Sequence, residues 1–418
     1  MIVQQELGPL GVATLLVSAS CGIGFLFGSG EMALREGMAG SLYPLATAGG
    51  MVVLAFLARP LWLRGQPIWG TFGRAYGAKV GNGIAVLSLI WMTGVLAAQI
   101  KGGVAIATLC GLPHGVALAV ILALVLTATS LRLGVAATIF AGCLLASNLV
   151  LLYVVIHSNG LGIYTNAIPK LAQDTRKLQP FDVVTTVVAV TFLVVTGADY
   201  QQFIIAARRP RDAYLGTILA AVILFATGFL PASAVLANQA SLRGAGTTDT
   251  AQVIPFLLSQ SAAPGGHNAE FAMLAILLAA ALGSAAAVTR AMVDALSAVA
   301  GSPSLLRRPI GSIVILGTGG TVAAANHPMV ETIVSMNIAY VASVGALFIL
   351  HEVEAPISPR SAWSMGIAGL STSMGLQMVR WFDLVTLPSV TPLVAGLSAS
   401  VVTGVISELI RLRPIQLK

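Results

Sequence analysis

Ionisable side chains stand at a few places where their apolar neighbours make them costly. Lys101 lies in LAAQIKGGVAIATL, Asp199 in VVTGADYQQF, and Arg290 and Asp294 in VTRAMVDAL. A charge at membrane depth costs roughly 3 kcal/mol on insertion scales, so each such residue carries a functional expectation. Lys101, with Gln99 beside it, could hold a carboxylate or put a fixed positive charge where a cation would otherwise sit. Asp199 could bind a cation, carry a proton or neutralise Lys101, and Gln202 follows it closely. Glu31 and Arg35, like Arg290 and Asp294, are four residues apart and can pair on one helix face. They read as an outer and an inner ion pair. His327 with Glu331, and His351-Glu352-Val353-Glu354, fall at helix ends or loops and read as solvated groups. No Ser/His or His/Asp/Glu set converges on a catalytic arrangement, so an enzyme is not expected.

The elements that must position these groups are membrane helices. Of 418 residues, 57% are hydrophobic and 9% charged, and the mean hydropathy is +0.91. Soluble chains carry about a quarter charged residues, so most of this surface does not face water. The net charge of +7 sits in short loops between apolar runs, which points away from nucleic acid and toward orientation in a bilayer. Twelve stretches are long enough to span: about 9–35, 38–58, 82–110, 114–131, 133–157, 181–206, 213–237, 269–298, 309–326, 331–350, 362–379 and 388–410. With the loops on alternate sides, fourteen Lys and Arg fall on one side and five on the other. The positive-inside rule then expects both termini in the cytoplasm of a multi-pass cell-membrane protein. Two connections on the outer side are long, Ser158–Pro180 and Asn238–Asn268. The second holds DTAQVIPFLLSQ, expected as a short helix over the outer face. Gln66–Lys79 reads as an interfacial segment with its Trp and Tyr at headgroup depth. Cys21, Cys110 and Cys143 read as small core residues rather than metal ligands or disulfides.

Two of the spans are interrupted. The first, LLVSASCGIGFLFGSGEMALREG, carries Gly22, Gly24, Gly28 and Gly30 in mid-run. The sixth, VVAVTFLVVTGADYQQFIIAARR, carries Thr196-Gly197-Ala198-Asp199. Five spans apart, they run in opposite directions, the pattern of two five-helix units related by an axis in the membrane plane. Unwound backbone frees carbonyls and amides that lipid cannot satisfy, so it belongs beside a polar cavity. Glycines that merely let helices pack closely are the plainer reading of the first span alone. The matched pair, with an acid in the second break, favours a binding site near the bilayer midplane.

Three stretches resemble the sodium:solute symporter family. Ser18–Tyr43, ending REGMAGSLY, is followed by TFGRAYG (Thr71–Gly77), similar to the family's cytoplasmic segment TxxEYLxxRYG. GADYQQFIIAARRPRDA (Gly197–Ala213) is similar to QRxxAAxSxxDA around the sixth core helix. DTAQVIPFLL, then AILLAAALGSAAAVTRAMVDALSA (Ala275–Ala298), is similar to the stretch leading into the eighth. The resemblance implies an all-α membrane protein of about twelve transmembrane helices. Two inverted five-helix repeats with helices 1 and 6 broken would occupy 1–158 and 159–350, and two C-terminal helices 351–418. It implies cation-coupled symport, with Na+ as the possible coupling ion, of a small polar organic solute by alternating access. Ser20, Gly24, Phe25, Gln99, Lys101, Asp199 and Gln202 are the expected substrate contacts. The family's cation site maps to the carbonyls of Ser18, Cys21 and Ala280 and the hydroxyl of Ser284. Gly283 and Ala287 offer no hydroxyl where the family has one, and the fifth span, Leu133–His157, has no Asp. A proton-coupled or ion-independent carrier of an amino acid or carboxylate, and a transporter-like receptor, remain alternatives. No cofactor and no nucleic-acid partner are expected; the expected partners are a small-molecule substrate and the lipid bilayer, and the oligomeric state stays open.

Overall fold

The computed structural model describes residues 6–131, 133–244, 250–262, 265–300, 308–324, 329–381 and 384–412. A helix, or a pair of helices, lies at each of the twelve apolar stretches. The first is split into α1 (Pro9–Ser20) and α2 (Ile23–Glu36). Then follow α3 (Leu42–Arg64), α4 (Ile68–Tyr76), α5 (Ala78–Leu109), α6 (His114–Ser130) and α7 (Leu133–His157). The short α8 (Leu161–Thr165) and α9 (Ala167–Thr175) lead to a second split pair, α10 (Pro180–Thr196) and α11 (Ala198–Ile205). After α12 (Pro210–Thr227), α13 (Leu230–Ala237), α14 (Gln239–Gly244) and α15 (Val253–Ala262) come α16 (His267–Ala300) and α17 (Arg308–Ala323). The chain closes with α18 (Met329–Glu352), α19 (Pro359–Trp381) and α20 (Thr391–Leu412). Among the described residues, six apolar helical runs are long enough to cross a bilayer, seven if the bent α10–α11 pair counts as one.

Unlike that of a water-soluble protein, the exterior is rich in large apolar side chains: Phe56 is 72% exposed, and Val222, Phe225, Leu145 and Val402 also point outward, where lipid tails would meet them. Within a mainly apolar interior lie Gln99, Asp199, Gln201, Asn337 and many hydroxyls. Most of those hydroxyls return to a carbonyl three or four residues back, as Thr47 does to Tyr43 and Thr217 to Ala213. That is how a helix hides a polar group from lipid. The centre is α5, whose 32 residues reach about 48 Å at 1.5 Å per residue. It packs against α16, α18, α17, α6 and α4. Close approach depends on small residues: a side chain at Gly216 would strike Val12 and the carbonyl of Pro9, and one at Gly50 would strike Val194.

The connection through α9 is pinned by polar contacts. Asp174 of α9 accepts the backbone N–H of Met38 at 2.9 Å and pairs with Lys177 at 2.7 Å. Gly37, just before, has φ +64°, and a Cβ there would meet Asp174 Oδ2 at 2.6 Å. Only glycine suits that position. Burial pushes the Asp174 carboxyl up, but Lys177, the Met38 N–H and the charge of Lys170 together hold it below its ordinary value. A lowered carboxylate stabilises the fold above the unfolded pKa, near 3.9, and loses that contribution as pH falls through the folded one. Acidification from about pH 6 to below pH 4 is therefore expected to lower amide-exchange protection at Met38–Ser41. In Asp174→Asn protection should be low at both ends of that range; full protection in the variant would refute the linkage.

One expected peripheral role changes, and other peripheral residues gain definite neighbours. His351 and Glu352 are not solvated: they end α18 half-buried, with the His351 ring 4.9 Å from Phe72 and its Nδ1 3.3 Å from the Tyr76 hydroxyl. Glu352 takes both prongs of Arg64, one at 3.0 Å. Trp69 and Tyr76 of α4 are buried against protein, because α4 folds back onto α5. Arg290 donates to the carbonyls of Ala128, Thr129 and Leu131, capping the last turn of α6. A guanidinium serves there because the last four carbonyls of a helix lack donors. The outer pair of Glu31 with Arg35 is present at 3.5 Å, and Thr250 also donates to Glu31 at 2.8 Å. His327 lies outside the described residues.

Candidate functional site

The two interruptions meet in the interior, where α1 packs against α11. Cys21 and Gly22 separate α1 from α2, and Gly22 is extended, with φ −63° and ψ −177°. At Gly197, with φ −68° and ψ 120°, the chain turns by 40° from α10 into α11. Each break leaves helix-end groups without intrahelical partners, and side chains answer them. Ser284 of α16 donates to the Ala19 carbonyl at 3.0 Å. Tyr340 of α18 donates to the Thr196 carbonyl at 3.3 Å. Gln201 accepts the Ile68 N–H at 2.9 Å and donates to the Val195 carbonyl at 3.0 Å, tying the second break to α4.

Asp199 is 1% exposed. Its carboxylate lies over its own N–H and that of Tyr200 at the start of α11, where the helix dipole favours negative charge. Its Oδ1 is buried and, among the described residues, accepts no hydrogen bond. Tyr43, Tyr200 and Tyr340 all lie within electrostatic range of it. The Tyr200 hydroxyl also meets Ser20, whose own hydroxyl donates to Leu16 at 2.7 Å. The Trp91 ring packs on Tyr340 with centroids 5.8 Å apart. Gln202 is half-buried and folds back to the Asp199 carbonyl at 2.8 Å.

Gln99 belongs with the first break. It is 4% exposed, and its amide occupies the space beside Gly22 that a Cβ would fill. Lys101 does not share that direction, because residues two apart on a helix point to nearly opposite sides. Seven residues return to the same face, so Lys101 follows Gly94, which packs on Met336 and Thr332 of α18. Gln99 and Lys101 therefore serve different neighbours. Phe25 is buried in the first turn of α2, and Gly24 stands in the same turn.

The cation candidates converge in part. Ser18, Cys21, Ala280 and Ser284 are all buried where α1 meets α16. The carbonyl on Ser284 is that of Ala19, between the two expected from Ser18 and Cys21. The Cys21 thiol turns toward Thr227 of α12. Sequence reasoning overlooked Tyr43, Trp91, Tyr200, Gln201, Asn337 and Tyr340. Polar and aromatic residues in apolar runs were the available signal, and they carry no spacing rule. A separate groove of about 470 Å³ opens between α5, α18 and α19, away from both breaks, with Val86, Ile90, Trp363 and Ile367 in its wall.

No protein-family model matches the sequence, and no curated protein sequence does either. Solved structures do match. A Na+-coupled sialic acid symporter in a substrate-bound, outward-open state aligns with 97% of this chain and 90% of its own, at TM-score 0.75 and 12% identity. A nucleobase-cation-symport-1 family transporter, closed with bromovinylhydantoin bound, aligns with 97% of this chain and 93% of its own, at TM-score 0.61 and 14% identity. MhsT in complex with L-phenylalanine aligns with 97% of this chain and 99% of its own, at TM-score 0.51 and 14% identity. The chain has the all-α membrane-transporter fold. At such low identities the likeness speaks for the arrangement of helices, and residue roles rest on the geometry above.

Proposed function

We propose that this protein is a cation-coupled symporter of a small polar organic solute, with Na+ as the coupling ion, working by alternating access around its paired breaks. The observation that carries this reading is the meeting of two interrupted helices beside a buried carboxylate with an unpartnered oxygen. In transporters, half-helix ends at mid-membrane bind substrate and coupling ion. A fold shared over nearly the whole chain with a Na+-coupled symporter supports it. In this reading α1–α7 and α10–α18 form the two inverted repeats, and α19 and α20 lie outside them. Solute would meet Ser20, Gly24, Phe25, Gln99, Lys101, Asp199 and Gln202. The cation would take freed carbonyls at the end of α1, the Ala280 carbonyl and the Ser284 hydroxyl. Oxygen ligands suit such a hard ion.

The cell membrane is the proposed location, with both termini cytoplasmic. A cysteine placed at Ser241 should then react with an impermeant maleimide from outside, and one at Arg209 only after permeabilisation. The reverse pattern would overturn the orientation. The coupling ion has its own signature, since a ligand that binds the folded state raises its melting temperature. Sodium, but not potassium or choline, is expected to raise the melting temperature of the purified protein. Ser284→Ala should remove that response while leaving the fold intact. A wild type indifferent to sodium would refute the sodium site and favour the second reading, proton coupling, for which the unpartnered oxygen of Asp199 is the supporting observation.

A further inference from the structure

Asp199 is a carboxylate in the interior whose surroundings are incomplete. Among the described residues no Lys, Arg or His forms an ion pair with it, and its Oδ1 has no donor. A buried acceptor without a donor, or a buried charge without a partner, is costly and is kept where a ligand completes it. Three tyrosines, Tyr43 of α3, Tyr200 of α11 and Tyr340 of α18, lie within its field, and the Trp91 ring of α5 packs at a tilt on Tyr340. Gly197 lies against this oxygen: a Cβ there would fall 2.7 Å from Oδ1. The hydroxyl and carbonyl oxygens that a sodium ion would need are gathered elsewhere, at Ala19 and Ser284.

We propose that the transported solute carries a protonated amine, received by Asp199 Oδ1 near Tyr43, Tyr200 and Tyr340. An ammonium supplies both what the carboxylate lacks, N–H donors and positive charge. Aromatic faces attract the same group through their quadrupoles, whereas a bare proton would leave them without a role. This assignment rests on the carrier reading for transport, but not for binding, and the two can fail separately.

The test uses purified full-length protein and matched solutes. The probes are the natural L-amino acids and short aliphatic mono- and diamines, each beside its deaminated acid or alcohol counterpart. At least one amine should raise the melting temperature at a concentration about tenfold or more below that needed by its counterpart, as expected for one charge-assisted hydrogen bond. Asp199→Asn, which keeps the size of the side chain, should lose this preference while still responding to sodium, showing that it is folded. Counterparts that bind as well as the amines, a panel in which no amine binds, or an amine preference retained in Asp199→Asn would each overturn the proposal. If an amine binds but is not moved into proteoliposomes, the carrier reading falls and the amine site stands. If deaminated counterparts are moved as fast as amines, the carrier reading stands and the amine site falls.

Discussion

Replacing Gly197 with alanine is expected to cut solute uptake by about tenfold to a hundredfold. An ideal Cβ at this position would sit 2.5 Å from the carbonyl of Leu193, 2.7 Å from Asp199 Oδ1 and 2.9 Å from Tyr200 Cδ2. The first is backbone at the end of α10 and the others belong to the first turn of α11, so the two half-helices must shift apart. Overpacking of this kind costs about 1–3 kcal/mol, which is a factor of roughly 5–150 in any equilibrium that bears it. Alternating access passes through several such equilibria around the break. Two companion variants separate this from a general effect of adding a methyl group. At Gly22 the atoms nearest an added Cβ are those of the Gln99 amide, the far end of a flexible side chain rather than backbone, so Gly22→Ala should fold and lose less uptake. Gly49→Ala meets nothing within 4 Å and should behave as wild type. The readouts are uptake into proteoliposomes and melting temperature. Full uptake by Gly197→Ala would remove the second break from the mechanism.

Much of the fold was legible because two strong signals coincide. Long apolar runs separated by basic loops locate membrane helices, and glycine in mid-run locates their interruptions. Both breaks were found at the right residues for this reason. Asp199 was legible too, since a lone acid in an apolar run has no bland explanation at that depth. Other residues were harder for physical reasons. His351 and Glu352 look like a solvated loop until Arg64, 288 residues away along the chain, is brought against them. Arg290 and Asp294 have the spacing of an ion pair, but that spacing does not show that Arg290 also donates to carbonyls at the end of α6. Tyr43, Trp91, Tyr200 and Tyr340 come from four helices and share no spacing, so only the packed structure gathers them. In the proposed cation site the α16 side rests on Ser284, whose hydroxyl meets the Ala19 carbonyl, between the Ser18 and Cys21 carbonyls that the resemblance implied. Which carbonyl of the unwinding α1 turns toward it depends on how that helix ends.

The central claim is that the paired breaks couple an ion gradient to solute movement, and uptake under imposed gradients tests it most directly. Proteoliposomes would be loaded with potassium buffer and given the solute that most raises the melting temperature of the purified protein. An inward sodium gradient is expected to drive accumulation well above the equilibrium level, and dissipating that gradient should release the solute. Because both ligands share one conformational cycle, the solute should also tighten apparent sodium binding by the same factor that sodium tightens solute binding. Ser284→Ala should abolish sodium-driven accumulation while leaving slow equilibration. Accumulation that ignores sodium and follows an inward proton gradient would contradict sodium coupling and move the ion's role to Asp199. Equilibration that no gradient can bias would contradict coupled transport altogether.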